Sequence, residues 1–244
     1  MNLRDATLAS LTLVLVFGCS TTKTEFGVDQ GQPAVIWHPD EGSNSSVTSP
    51  AGAEKTQQLQ DRVQDAERAA NDDEALMASL YDLAVAKRRD GQLDEARQLY
   101  QRALAICEKK RGPNDPDTAT ILNNLAGVEA AQGDYDAARP LLERSLKIRQ
   151  EKFGEENTLT AQSMSNLALL YAAAGDADAA EPLYRRSLAV LEKTDRPSKG
   201  NLDQVLENYA ALLRDTGRDS EAEELEVRAR VIRASSGRST DASP

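Results

Sequence analysis

Between Leu122 and Ile148 the apolar residues fall at helical spacing on both sides of one glycine. Leu122, Leu125, Ala126 and Val128 precede Gly133, and Ala138, Leu141, Leu142, Leu146 and Ile148 follow it. Steps of three and four residues predict two amphipathic helices. Gly133-Asp134 is the break between them, since glycine tolerates positive φ and aspartate can cap the helix that follows. The pattern restarts every 42 residues, at Gly91, Gly133, Gly175 and Gly217. Leu83, Leu125, Leu167 and Tyr209 keep the register, each followed by alanine: Ala84, Ala126, Ala168 and Ala210. Two further columns run through Ala96, Ala138, Ala180 and Ala222, and through Leu99, Leu141, Leu183 and Leu225. Self-similarity at a period of tens of residues predicts stacked helical hairpins. The alanines mark where paired helices approach closely, because a larger side chain would hold them apart.

Asn-Leu-Ala, then Gly133-Asp134-Tyr135, an Ala-x-x-Leu core and an Arg-Ser-Leu or Arg-Ala-Leu segment together resemble the tetratricopeptide repeat. The 42-residue unit is similar to the longer form found in kinesin light chains, and the likeness runs from about Leu80 to Ile232. The resemblance implies an all-α, right-handed superhelical solenoid of four helix-turn-helix repeats over 73–234, at about 73–111, 118–153, 160–193 and 202–234. An ordinary unit has about 34 residues; the surplus here lengthens the second helix and its exit loop. That loop reads Gly112-Pro113-Asn114-Asp115-Pro116 in one copy and Gly154-Glu155-Glu156-Asn157 in the next. Thr118 and Thr160 stand where a cap for the following helix belongs. Pro140 and Pro182 should bend the second helices mildly near their start.

Both ends of the array call for covers. Residues 54–71 read as a polar helix with a thin stripe of Leu59, Val63, Ala66 and Ala70, an N-terminal capping helix; a short coiled-coil segment is the competing reading. In the last copy Glu226 takes the place of Tyr100, Leu142 and Tyr184, and Arg230 that of Leu104, Leu146 and Leu188. A terminal unit with nothing beyond it needs such a polar outer face. Residues 235–244 read as a disordered tail.

The front of the chain carries an address. Arg4, an apolar run from Ala6 to Phe17, and Gly18-Cys19 resemble a bacterial lipoprotein signal over residues 1–18. The run is too short to span a bilayer, which takes about 20 apolar residues. The resemblance implies diacylation of Cys19, and Ser20 implies delivery to the outer membrane, facing the periplasm; the alternative is a secretory signal with an incidental cysteine. More than one acyl chain makes such anchoring stable. Residues 19–53, rich in Ser, Thr, Gly and Pro, read as a flexible linker with a reach of about 30 Å. Ile36 and Trp37 form a small apolar knot within it, and His38 has no neighbouring ligand residues.

Composition narrows the chemistry. A formal net charge of −11, with no Lys/Arg stripe interleaved with aromatics, excludes a nucleic-acid partner. Past Cys19 the one remaining cysteine is Cys107, so no intramolecular disulfide is expected. No phosphate loop, paired-His motif or nucleophile elbow occurs, so we expect no enzyme, no catalytic residues, no metal and no cofactor.

Binding is expected on the face lined by the first helices. Helical periodicity places Tyr81, Arg88, Arg89, Asn124, Asn166, Leu169, Asn208 and Arg214 there as peptide-binding candidates. An amide offers donor and acceptor together, which suits the backbone of an extended peptide. The resemblance implies the same use, since related repeat proteins hold peptides with such asparagines. The competing reading has each asparagine bridge neighbouring helices, and Asp82 interrupts the column in the first repeat. The functional expectation is a membrane-anchored interaction scaffold for a peptide or protein partner. The alternative is a self-associating, homo-oligomeric envelope lipoprotein whose groove is filled by its own linker or a second copy.

Overall fold

A computed structural model of the chain describes residues 50–69, 72–193 and 202–237. These hold nine helices: α1 (Pro50–Arg68), α2 (Asp73–Arg89), α3 (Leu93–Lys110), α4 (Pro116–Ala131), α5 (Tyr135–Phe153), α6 (Thr158–Ala173), α7 (Ala177–Glu192), α8 (Leu202–Asp215) and α9 (Asp219–Gly237). The architecture is an all-α solenoid of helical pairs. α2 packs on α3, α4 on α5, α6 on α7 and α8 on α9, and each pair leans on the next through α3–α4, α5–α6 and α7–α8. The expected signal at 1–18, residues 19–49 of the expected linker and 238–244 of the expected tail lie outside the described residues, while 50–53 and 235–237, read from the sequence as linker and tail, are helical in α1 and α9.

The turn inside the second and third pairs follows from two residues. At Gly133, φ is +82°, which an L side chain would resist. Its N–H donates to Ala130 C=O at 2.9 Å and the Asp134 N–H to Glu129 C=O at 2.9 Å, closing the end of α4 in a Schellman motif. The Asp134 carboxylate then accepts from Ala137 N–H at 2.9 Å, so the residue that ends one helix caps the next. Gly175 and Asp176 repeat this, with Asp176 accepting from Ala179 N–H at 3.0 Å.

Between pairs the capping differs from expectation. Thr118 and Thr160 are fully buried and do not cap. The caps are Asp115, accepting from Asp117 N–H at 2.9 Å, and Asn157, accepting from Leu159 N–H at 2.8 Å. The threonine hydroxyls instead donate to Gly112 C=O (3.0 Å) and Gly154 C=O (2.8 Å), fastening the exit loop over the helix it leads into. Pro140 and Pro182 lie within continuous helices.

All eight alanines of the two recurring columns are at most 1% exposed, and Leu125 and Leu167 are 4% and 5% exposed. Ser145 and Ser187, from the Arg-Ser-Leu segments, are fully buried and donate to Ala119 C=O and Ala161 C=O at 2.8 and 2.7 Å. Each ties a second helix to the first helix of its own pair. The preceding arginines form a ladder along the second helices: Arg102 to Glu67, Arg144 to Glu108, Arg186 to Glu155 and Arg228 to Glu192. These pairs are exposed, so each contributes about 0–1 kcal/mol. They set the register of one hairpin on the last more than they hold it. Between the third and fourth pairs a tighter lock forms, with Glu181 accepting from Tyr209 Oη at 2.8 Å and from Arg218 at 2.9 Å.

α1 covers the front of the stack with Val63, buried, and Leu59, partly buried, against the core of the first pair. The helix runs Pro50–Arg68 where the sequence placed 54–71. α9 covers the rear with Ala222 and Ala229 inward; Glu226 pairs with Arg214 outside, while Val227 and Val231 stand 46% and 63% exposed.

Leu125→Ala and Leu167→Ala should each cost about 2–5 kcal/mol in urea unfolding; a loss under about half a kcal/mol would mean these residues do not face the core. Burial pushes the Cys107 thiol up to about 11. It should therefore resist alkylation at pH 8 in the folded chain and react on denaturation; equal rates in both states would contradict its placement.

Candidate functional site

The first helices form an inner layer. On α4 every residue from Ile121 to Ala130 is buried, and on α6 every residue from Thr160 to Leu170, whereas α3, α5 and α7 each keep an exposed face. Amphipathic spacing alone would give α4 and α6 one wet side. Flanking helices enclose them instead, which is why their sequences are apolar or small nearly all round.

Within this layer the asparagine column bridges repeats. Asn124 Nδ2 donates to Tyr81 Oη at 3.0 Å, and Asn166 Nδ2 donates to Asn123 Oδ1 at 2.9 Å. Both bonds span 43 residues, so they are the same contact one unit apart. Asp82, which occupies the column in the first repeat, instead pairs with Arg62 of α1 at 3.1 Å. The column is thus interrupted in the first repeat by an exposed ion pair to the covering helix, across 20 residues of chain rather than 43. Asn208 is 5% exposed and takes Gln204 Nε2 on its Oδ1 at 3.4 Å. The three amides are enclosed, where the periodicity had set them on an open face. The reason is that successive first helices lie side by side, leaving an amide at this position against its neighbour.

The other candidates separate into two groups. Leu169 is 2% exposed and belongs to the main core cluster, so its expected place on the groove surface is corrected; α5, α7 and α8 close around α6 there. Tyr81 is half-buried, edge-on to Tyr100 with ring centroids 5.7 Å apart, and burial pushes its hydroxyl pKa up. Arg88 is half-buried beside Tyr100; Arg89 is exposed and donates to Asp90 at 3.3 Å. Arg214, also exposed, is held by Glu226 at 2.8 and 2.9 Å. Charge therefore gathers at the two ends of the inner layer and amides in its middle.

Periodicity missed two polar residues there, Gln162 and Arg149. Gln162 and Asn166, one turn apart on α6, each carry a buried amide oxygen without a hydrogen-bond partner, Oε1 and Oδ1. Arg149, at the end of α5, is 4% exposed. Its signal was available as a cation in a column that holds Cys107 and Leu191 in the neighbouring repeats and Arg233 in the last.

Among the described residues, no group of three or more His, Cys, Asp or Glu side chains could hold a metal ion. Cys107 is enclosed against Thr118, with Sγ and Oγ1 3.4 Å apart, and its raised pKa keeps it a thiol at neutral pH. Among the same residues, no helix is long and apolar enough to cross a membrane. Cys19, Trp37 and His38 lie outside them.

The family model described as Tetratricopeptide repeat matches the chain over residues 75–151, 117–193 and 159–234. No curated protein matches it. Among solved structures, BtubC (BKLC) from P. vanneervenii is similar at 25% identity and a TM-score of 0.68, covering 80% of this chain and 77% of that one. A putative kinesin light chain of Podosopora anserina with nearly identical TPR-like repeats is similar at 26% identity and a TM-score of 0.62, covering 76% and 88%. A single-substitution form of that protein gives 26% and 0.64, covering 77% and 89%.

Asn166→Ala should cost about 1–3 kcal/mol, because it leaves Asn123 Oδ1 buried without a donor. In a double-mutant cycle Asn123→Ala and Asn166→Ala should couple by more than about 0.5 kcal/mol; strictly additive losses would deny the bridge.

Proposed function

The chain belongs to the tetratricopeptide repeat family, and from that premise we propose that it is a membrane-anchored, non-enzymatic scaffold whose inner helical layer takes an extended segment of a partner protein. The observation that carries this reading is the pair of unpartnered amide oxygens on α6, Gln162 Oε1 and Asn166 Oδ1. A buried acceptor without a donor costs about 1–3 kcal/mol. Four residues along a helix advance about 6 Å. Alternate N–H groups along one edge of an extended strand are about 6.6–6.8 Å apart. One strand entering the layer can therefore offer a donor to each oxygen, and the neighbouring asparagines supply further amides of both polarities. Entry requires the side chains over α6 to rearrange, as interface side chains commonly do on binding. Tyr81 and Arg89 at one end, and Arg214 at the other, flank the path.

The anchoring half of the proposal rests on the sequence of residues 1–18 and on Cys19. In this reading the acylated Cys19 sits in the outer membrane of a bacterial envelope and residues 19–53 carry the solenoid into the periplasm. A partner caught there is raised in effective concentration beside the membrane. The exposed Val227 and Val231 on α9 favour a second arrangement, in which two copies meet through their last helices. Light scattering separates the two, since only the second requires a dimer.

Gln162→Met is the sharper test, because it removes an unpartnered acceptor and keeps the volume. The free chain should be as stable as wild type or slightly more so. Crosslinked capture of partner from intact envelopes should fall; undiminished capture would overturn the peptide reading. Cys19→Ser should move the protein from the membrane to the soluble fraction, and unchanged fractionation would remove the lipid anchor.

A further inference from the structure

The second repeat contains a buried cation that no carboxylate among the described residues neutralises. Arg149 is 4% exposed, and its Nη1 donates to Leu159 C=O at 3.0 Å and to Ser163 Oγ at 3.1 Å. Both acceptors are uncharged. The chain has 40 Asp and Glu residues, and the ion pairs among the described residues engage the arginines around Arg149 but not Arg149 itself. Taking a guanidinium out of water without a counter-ion is costly, and proteins ordinarily place an acid beside it. Burial draws its pKa down to about 10, which still leaves it a cation at neutral pH.

The repeat architecture does not require this charge. The same column holds Cys107, fully buried, in the first repeat, Leu191, 6% exposed, in the third, and in the fourth Arg233, which is exposed and paired with Asp203 and Glu207 at 3.2 and 2.7 Å. The arginine of the fourth repeat meets two carboxylates, whereas among the described residues Arg149 meets none. Its guanidinium is also half-used. Among the described residues Nε and Nη2 find no acceptor for their N–H groups, and neither atom is closed off from solvent. An Nε/Nη2 edge matches two oxygens of one acid group, the bidentate geometry that makes arginine–oxyanion pairs strong. The Tyr81 phenol lies within electrostatic range of the same guanidinium, at the bridge to Asn124.

We propose that Arg149 anchors an oxyanion site between the second and third repeats, with Nε and Nη2 holding a carboxylate- or phosphate-type group side-on. The ligand completes a buried ion pair for which the chain supplies only the cation. The site uses neither of the amide oxygens of Gln162 and Asn166, and it can be tested without any partner protein.

The test uses the full chain with inorganic phosphate and acetate as separate probes, each against chloride at matched ionic strength. At about tenfold excess over the dissociation constant, a bound anion should raise the Tm by about 3–6 °C. Phosphate alone raising it assigns the site to a free tetrahedral oxyanion. A rise with acetate, alone or together with phosphate, assigns it to a carboxylate such as a chain could carry. Arg149→Leu, which copies the leucine found at 191 in the same column, should abolish the shift, and Arg149→Lys should weaken it by losing the fork. No rise with either probe, or an equal rise in wild type and Arg149→Leu, overturns the site. Should Arg149→Leu not fold, titration of the wild-type Arg Nε–H resonances decides: one shifting and saturating with the probe supports the site, and none moving overturns it.

Discussion

Everything in this structure depends on one constraint: a single helical hairpin cannot bury its own apolar face. Each pair here closes its core only against the next, through α3–α4, α5–α6 and α7–α8. That is why the alanine columns stay so uniformly enclosed. A side chain larger than alanine would push two helices apart, and the displacement would pass to every unit stacked beyond it. It is also why both ends need treatment. α1 brings Val63 and Leu59 to the front, and α9 turns Ala222 and Ala229 inward while Glu226 meets Arg214 outside.

Polar groups do a different task, which is to fix register. Apolar packing is tolerant of sliding; a hydrogen bond inside a closed layer is not, since a slip leaves both partners unpaired. Asn124 to Tyr81 and Asn166 to Asn123 recur one unit apart in the inner layer. Ser145 to Ala119 and Ser187 to Ala161 recur within the pairs, and the arginines from 102 to 228 recur along the outer helices. Three sets of polar contacts therefore report the same geometry at three depths, strongest where water is absent. The unmatched groups stand out against this regularity. Gln162, Asn166 and Arg149 keep unmet hydrogen-bonding capacity near the junction of the second and third repeats, and it is there that another molecule has something to complete.

The helical pairs, their period and their turns were legible in the chain because they are set locally. A glycine that must take positive φ, an aspartate that caps, and apolar residues at steps of three and four each act within a few positions. The capping error at Thr118 and Thr160 shows the limit of that reading. A threonine before a helical run is a plausible cap, but its hydroxyl found the carbonyl of Gly112 or Gly154 once the loop had folded over it. Leu169 fails for a similar reason: periodicity assigns it a face, yet cannot say that α8 also comes to rest near that face.

By itself the sequence determined that the chain is a stack of like hairpins and that its ends are covered, since both follow from spacing and residue type. Only the tertiary structure decided what the asparagine column does, that Asp82 pairs instead with Arg62, and that Arg149 is buried with uncharged acceptors among the described residues. Those facts depend on which side chains meet across 20 or 43 residues of chain. Burial and pairing are properties of neighbours in space, and a one-dimensional pattern records them only where the same neighbour recurs.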